Sequence, residues 1–187
     1  MELQHFIAKI FVQGELTLNP ARVVDVLHRW VAQQSMPEML VDVAELLHVP
    51  DGPGVLAVGH DADYALDHTG GRWGVLYRRK TVLAGPNAGR VTQALQSAAA
   101  AGALLESEFK GELDFSRNEF ELIVNDRALA PNKPETFPAV QADLAAGVKA
   151  FLGHADFKLE PQGGDPRRRF AVSVKSAKPF DLPAPKA

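Results

Sequence analysis

Residues 5–12 (HFIAKIFV) form a short run of β-branched and aromatic side chains closed by Gly14, the pattern of a first strand. Asn19 and Pro20 then predict a helix start, the asparagine as cap and the proline in the first turn. Val23, Val24, Leu27, Trp30 and Val31 recur at helical spacing from there to about Gln34. The stretch 39–49 (MLVDVAELLHV) is almost continuously apolar, as expected of a strand buried on both faces, with a helix as the alternative. A turn at 50–54 (PDGPG) leads to a strand over 55–58, with Gly59 marking a bulge before a further strand-like segment, 60–69.

Residues 61–80 carry the most specific pattern. Gly70 and Gly71 predict a two-residue hairpin turn. Folding there pairs His68 with Trp73, Leu66 with Val75 and Tyr64 with Tyr77 on one face, and Asp63 with Arg78 and Asp61 with Lys80 on the other. A slip of one residue would mix the apolar and charged sets, so turn chemistry and cross-strand pairing support the same register.

A short strand is expected at 81–84, followed by the segment GPNAGR (85–90) and a long helix to about Phe109. The buried seam of that helix is read as Val91, Leu95, Ala98, Ala101 or Gly102, Leu105 and Phe109, and its alanine run 98–103 offers close approach to a sheet or to a second subunit. A turn at 116–118 precedes alternation that places Phe120, Leu122 and Val124 inward and Glu119 and Glu121 outward. Thr136 is read as the cap of a third helix with Val140, Leu144, Val148, Phe151 and Leu152 as its stripe, and segments 156–160 and 168–175 close as a hairpin around PQGGDP. The Pro-rich tail 177–187 (AKPFDLPAPKA) is expected to be mobile. Adjacent strands between isolated helices predict a single α+β domain over residues 1–176: a largely antiparallel sheet with about three helices packed mainly on one face, with a split β-α-β arrangement as candidate topology.

Composition narrows the chemistry. The 187 residues are 46% apolar and 23% charged, an ordinary globular balance, and no window approaches a membrane span. Without cysteine there is no disulfide, thiolate nucleophile or Cys-held metal. A net charge of −3 argues against nucleic acid as the dominant partner. The first residues begin acidic and place Lys9 inside their apolar run, unlike a signal peptide, so a cytoplasmic location is expected.

Two segments are candidates for chemistry. His60, Asp61, Asp63, Asp67 and His68 supply imidazole and carboxylate, the ligands a borderline metal takes when thiolate is absent. On a strand, however, the histidines and aspartates fall on opposite faces, so cross-strand ion pairs are the expected outcome and no metal is assigned. Asp42, inside its apolar run, with His48, His60, Asp63 and Arg78, completes a candidate polar cluster. Separately, Asn87, Gly89 and Arg90 stand at a helix start, where free amides and a guanidinium suit a phosphate or carboxylate. The alternative for Asn87 is a plain N-cap. Arg167, Arg168 and Arg169 form a basic start to the last strand, which either blunts edge pairing or binds an anion.

With no convergent catalytic set and no cofactor motif, the expected function is a non-enzymatic binding or structural module. Self-association is expected through the alanine-rich helix and a docking tail at Phe180 and Leu182, and a small anionic ligand is a further candidate partner. The competing reading is a small metal- or phosphate-dependent hydrolase built on residues 60–68 with Arg78 or Arg90.

Overall fold

A computed structural model describes residues 1–183 of the chain. Strand β1 (Phe6–Val12) leads to helix α1 (Arg22–Gln33), four strands β2 (Leu40–Leu46), β3 (Gly54–Gly59), β4 (Ala62–Asp67) and β5 (Gly74–Arg79), and the long helix α2 (Asn87–Glu108). Strand β6 (Phe115–Val124), helix α3 (Thr136–Leu152) and strands β7 (Phe157–Pro161) and β8 (Phe170–Ser176) complete it. The eight strands make one sheet in the order β2-β3-β4-β5-β1-β6-β8-β7, with every neighbouring pair antiparallel. This is the expected α+β architecture. Because β5 and β6 both run against β1, they are parallel to each other, and α2 connects them as a split β-α-β unit; α3 joins β6 to β7 around β8 in the same way.

All three helices cover one face. The register aligns Tyr64, Tyr77, Ala8, Leu122 and Val172 across five strands, and their side chains point into the core beneath α2 and α3. Val91, Leu95, Ala98, Ala101 and Leu105 fill that interface from α2. The alanine run serves the chain's own sheet: Gly102 lies against Val75, Phe115 and Leu182. On its other side α2 meets α3 so closely that a Cβ on Gly147 would come within 2.6 Å of Val91. Helix α1 covers β2 and β3 and is tied to the end of α2 by Arg29 with Glu108 and to the α2–β6 connection by Arg22 with Glu112.

The β4–β5 ladder has the expected register, from Ala62 opposite Arg79 to Asp67 opposite Gly74, and His68 stacks on Trp73 at 4.5 Å between ring centres. Its connection is longer than a two-residue turn. Gly71 donates its amide to the His68 carbonyl at 3.0 Å, and Gly70 and Gly71 both take left-handed φ values, 82° and 75°. Asp51, from the β2–β3 connection, accepts both glycine amides at 2.6 and 2.9 Å and so ties the two hairpin tips together.

Several local expectations are corrected. β2 is an edge strand with Val41 55% exposed, and the bulge lies on β2 between Leu40 and Asp42, opposite Gly59. Among the described residues, no helix has a side-chain N-cap. Asn19 instead accepts the Ala21 amide ahead of α1, Pro86 stands extended before Asn87, and Thr136 donates to the Pro131 carbonyl. Residues 81–84 are irregular, and the expected turn at 116–118 lies within β6, where Ser116 Oγ accepts the amides of Asn118 and Glu119. The segment from Ala177 runs back over the domain as far as it is described. Phe180 donates its amide to the Arg117 carbonyl and packs edge-on against Phe120 and Phe151 at 5.5 and 5.4 Å. Residues 184–187 of the expected tail lie outside the described residues. Among the described residues, no helix is long and apolar enough to cross a membrane.

Candidate functional site

With the helices on one side, the opposite face of the sheet has no helix over it, and alternation fixes which residues it presents. One row across β4, β5, β1, β6 and β8 holds Asp63, Arg78, Ile7, Ile123 and Ala171; the next holds Ala65, Leu76, Lys9, Glu121 and Ser173. The rows combine aliphatic floor with charge. Asp63 and Lys9 are nevertheless 0% and 1% exposed, so long side chains and loops roof them.

Lys9 is the centre of this face. Its ammonium donates to Asp67 Oδ2 at 2.6 Å and to the Thr69 carbonyl at 2.8 Å, which satisfies most of a charge that burial would otherwise make costly. Asp67 also accepts the amide and hydroxyl of Thr69. Arg72 lays its guanidinium 3.7 Å from the centre of the Phe11 ring and donates to both carboxylate oxygens of Glu119, closing the face at that end. Burial pushes the Glu121 carboxyl above its ordinary range, an effect opposed by Lys9 and reinforced by Asp67.

Asp63 accepts the Gly59 amide at 3.1 Å and Arg78 Nε at 3.0 Å, and it pairs at 2.9 Å with the Lys80 ammonium, which donates to the Gly59 carbonyl. The expected Asp63–Arg78 pair therefore forms. Lys80 sends its ammonium to Asp63 rather than Asp61, whose side chain instead accepts from Thr81 at 2.8 Å.

Of the candidate polar cluster, only Asp63 and Arg78 meet. Asp42 is exposed on the edge strand opposite Val58, two strands from Asp63 or roughly 10 Å at ordinary strand spacing. His48 and His60 are exposed at opposite ends of the β2–β3 ladder, about 20 Å apart by strand rise. Among the described residues, no group of three or more His, Asp or Glu side chains is placed to hold a metal ion.

Asn87 and Arg90 are 7% and 5% exposed, and their polar atoms hold the N-terminal segment. Asn87 accepts the Leu3 amide at 2.8 Å and donates to the Met1 carbonyl and Asp143. Arg90 donates to the carbonyls of Leu83 and Leu3 and to Glu2. Gly89 has open surroundings, a Cβ there meeting only the Pro86 ring at 3.7 Å.

Sequence reasoning passed over two arrangements. Glu38, in the α1–β2 connection, accepts both tyrosine hydroxyls, Tyr77 at 3.1 Å and Tyr64 more closely; Gln93 donates to the Tyr77 oxygen. Burial pushes Tyr77 up to about 12 and Tyr64 further, so both phenols stay protonated donors. Lys9, the other, had a visible signal, a lone ammonium inside an apolar strand. Compared with protein-family models and with curated proteins, the sequence matches none.

Proposed function

We propose that the chain is a non-enzymatic, cytoplasmic binding module whose ligand surface is the helix-free face of the sheet. One observation carries this reading: that face holds a fixed array of buried charge, centred on Lys9, Asp63 and Asp67, with no helix packed over it. The partly exposed cations that border this array, Arg72, Arg78 and Lys80, are held in place by their carboxylate partners and offer donors over an aliphatic floor, a surface suited to a polar ligand. The hydrolase reading loses support because His60 stands alone at a turn and Asp67 is committed to Lys9.

The test combines a panel of chromogenic phosphate and carboxylate esters with amide NMR during titration of small polar ligands. No turnover, with shifts confined to β5, β1, β6 and β8, is the expected result. Turnover abolished by Asp63→Asn or His60→Ala would restore the enzyme reading.

Self-association is proposed on a narrower basis than the sequence offered, because the alanine run and Phe180 are both occupied within the chain. Its remaining support is the open edge of β2, flanked by Met39 at 59% exposure. Light scattering across a dilution series decides it: a strict monomer removes this part of the proposal.

A further inference from the structure

We infer that the chain pairs with a second copy of itself through β7, the edge of the sheet opposite β2, as an antiparallel two-fold dimer in which Leu159 faces Leu159. The inference rests on the self-association part of the reading above and gives it a defined interface and register at the other edge.

The ladder with β8 fixes which main-chain groups β7 can offer. Among the described residues no strand lies beyond β7. Gln162 donates its amide to the Ala171 carbonyl, and the Asp156 carbonyl accepts the amide of Ala177. The even-numbered residues therefore bond inward to β8, and Phe157, Leu159 and Pro161 turn their main chain to the open edge. Pro161 has no amide to present there, as suits an edge strand, and the Phe157 amide donates back to the Ala155 carbonyl at 3.0 Å. Leu159 is the position that offers both a donor and an acceptor outward. A two-fold centred on it forms a reciprocal pair of hydrogen bonds, Leu159 amide to Leu159 carbonyl in each direction.

Charge selects the register. Lys158 and Glu160 lie on the helix-free face, opposite Lys175 and Ser173 of β8. Among the described residues neither takes part in an ion pair, and Lys158 has a like charge for its cross-strand neighbour. Setting Leu159 against Leu159 places the Lys158 of each copy opposite the Glu160 of the other, so the two-fold makes this pair twice. The next registers that the hydrogen-bonding parity allows are two residues away. One sets Lys158 against Lys158 and the other Glu160 against Glu160, both repulsive.

The apolar side of the strand agrees. Phe157 and Leu159 are half-buried on the helix side, where with Ala145 and Ala146 of α3 they line an open groove of about 390 Å³. A two-fold axis perpendicular to the sheet keeps the helices of both copies on the same side, so the two grooves meet and each Leu159 covers the other. An edge strand of five residues with one shallow groove stands at the small end of specific interfaces, which makes this a weak, micromolar dimer.

Sedimentation equilibrium of the full chain, over about 1 μM to 1 mM, should show a reversible monomer–dimer equilibrium. K158E and E160K both alter exposed side chains and so test the seam without threatening the fold. Each turns both cross-pairs from attractive to repulsive and should weaken the dimer about tenfold or more. An equimolar mixture of the two variants brings opposite charges together again at both pairs. It should associate about as tightly as the parent chain, although neither variant does so alone. D42K, on β2, should leave the affinity unchanged.

Self-association of K158E and E160K at the parent's affinity, or growth past a dimer, overturns this interface and leaves self-association through β2 standing. A mixture that associates no better than either variant alone overturns the register. A strict monomer over the whole concentration range removes both the interface and the self-association reading.

Discussion

Lys9 and Asp67 sit on strands that are not neighbours, yet their side chains meet at 2.6 Å across β5, and they do so over Gly74. Gly74 lies opposite Asp67 on one side and Phe11 on the other, and a Cβ at that position would come within 2.9 Å of Lys9 Cε and 2.7 Å of the Ile10 carbonyl. A glycine in a strand interior ordinarily weakens it; here the missing side chain is the channel through which the lysine passes. Gly74→Ala should displace the ammonium and destabilise the domain by about 1–3 kcal/mol, the usual range for overpacking. Lys9→Met, which strands a buried aspartate, should cost about 3–5 kcal/mol, and Lys9→Met with Asp67→Leu distinctly less. Urea unfolding midpoints of the four proteins check the ordering.

Glu121 makes stability depend on pH with a definite sign. Its carboxyl is raised in the folded chain from an ordinary 4.5, chiefly by burial, with Lys9, Arg169 and Arg72 opposing and Asp67 adding to the rise. The folded state therefore holds the proton more tightly, and stability falls as pH rises from about 4.5 through the folded value. Glu121→Gln should gain on the parent chain across that window. Glu119, lowered by Arg72, has the opposite sign: its contribution is present above 4.5 and is lost as pH falls through its lower folded value. Thermal melts of Glu121→Gln and Glu119→Gln at a series of pH values should diverge from the parent in opposite directions; parallel curves would refute the assignment.

The chain contains two tyrosines, Tyr64 and Tyr77, and both donate to Glu38 inside the core. Absorbance at 295 nm should show no tyrosinate near pH 10, the ordinary phenol value, and should rise only with unfolding. Their folded values are raised, so stability falls as pH climbs above 10. A normal titration in the folded protein would contradict the buried hydrogen bonds.

Phe180 closes an aromatic triad with Phe120 and Phe151. Phe180→Ala should lower stability by about 3 kcal/mol, as for a buried phenylalanine elsewhere, and open residues 177–183 to proteolysis. Limited proteolysis with mass mapping reads both effects. An unchanged cleavage pattern would mean that the segment is held by something other than this ring.

The hairpin at residues 61–80 was legible because turn, alternation and charge all selected one register. The apolar run at 39–49 misled because a continuous hydrophobic string says nothing about where its strand sits in a sheet, and β2 lies at the edge. Phe180 was hidden by the prolines and charges around it, although one aromatic suffices to anchor a segment. Asp63 and Arg78 were found as a pair because they face each other across a local ladder. Lys9 with Asp67 depends on β1 entering the sheet between β5 and β6, strands distant from it in sequence, which no local periodicity encodes.

The position of β1 also bears on how the chain reaches its folded state. Phe6–Val12 is made before either of its neighbours, Gly74–Arg79 and Phe115–Val124, and is hydrophobic apart from Lys9. On the ribosome it must wait, sticky on both edges, while the consecutive hairpins β2 to β5 can zip up by local contacts alone. Insertion of β1 is thus the late, nonlocal step. It is the interval in which a chaperone, or a neighbouring nascent chain, competes for the same strand.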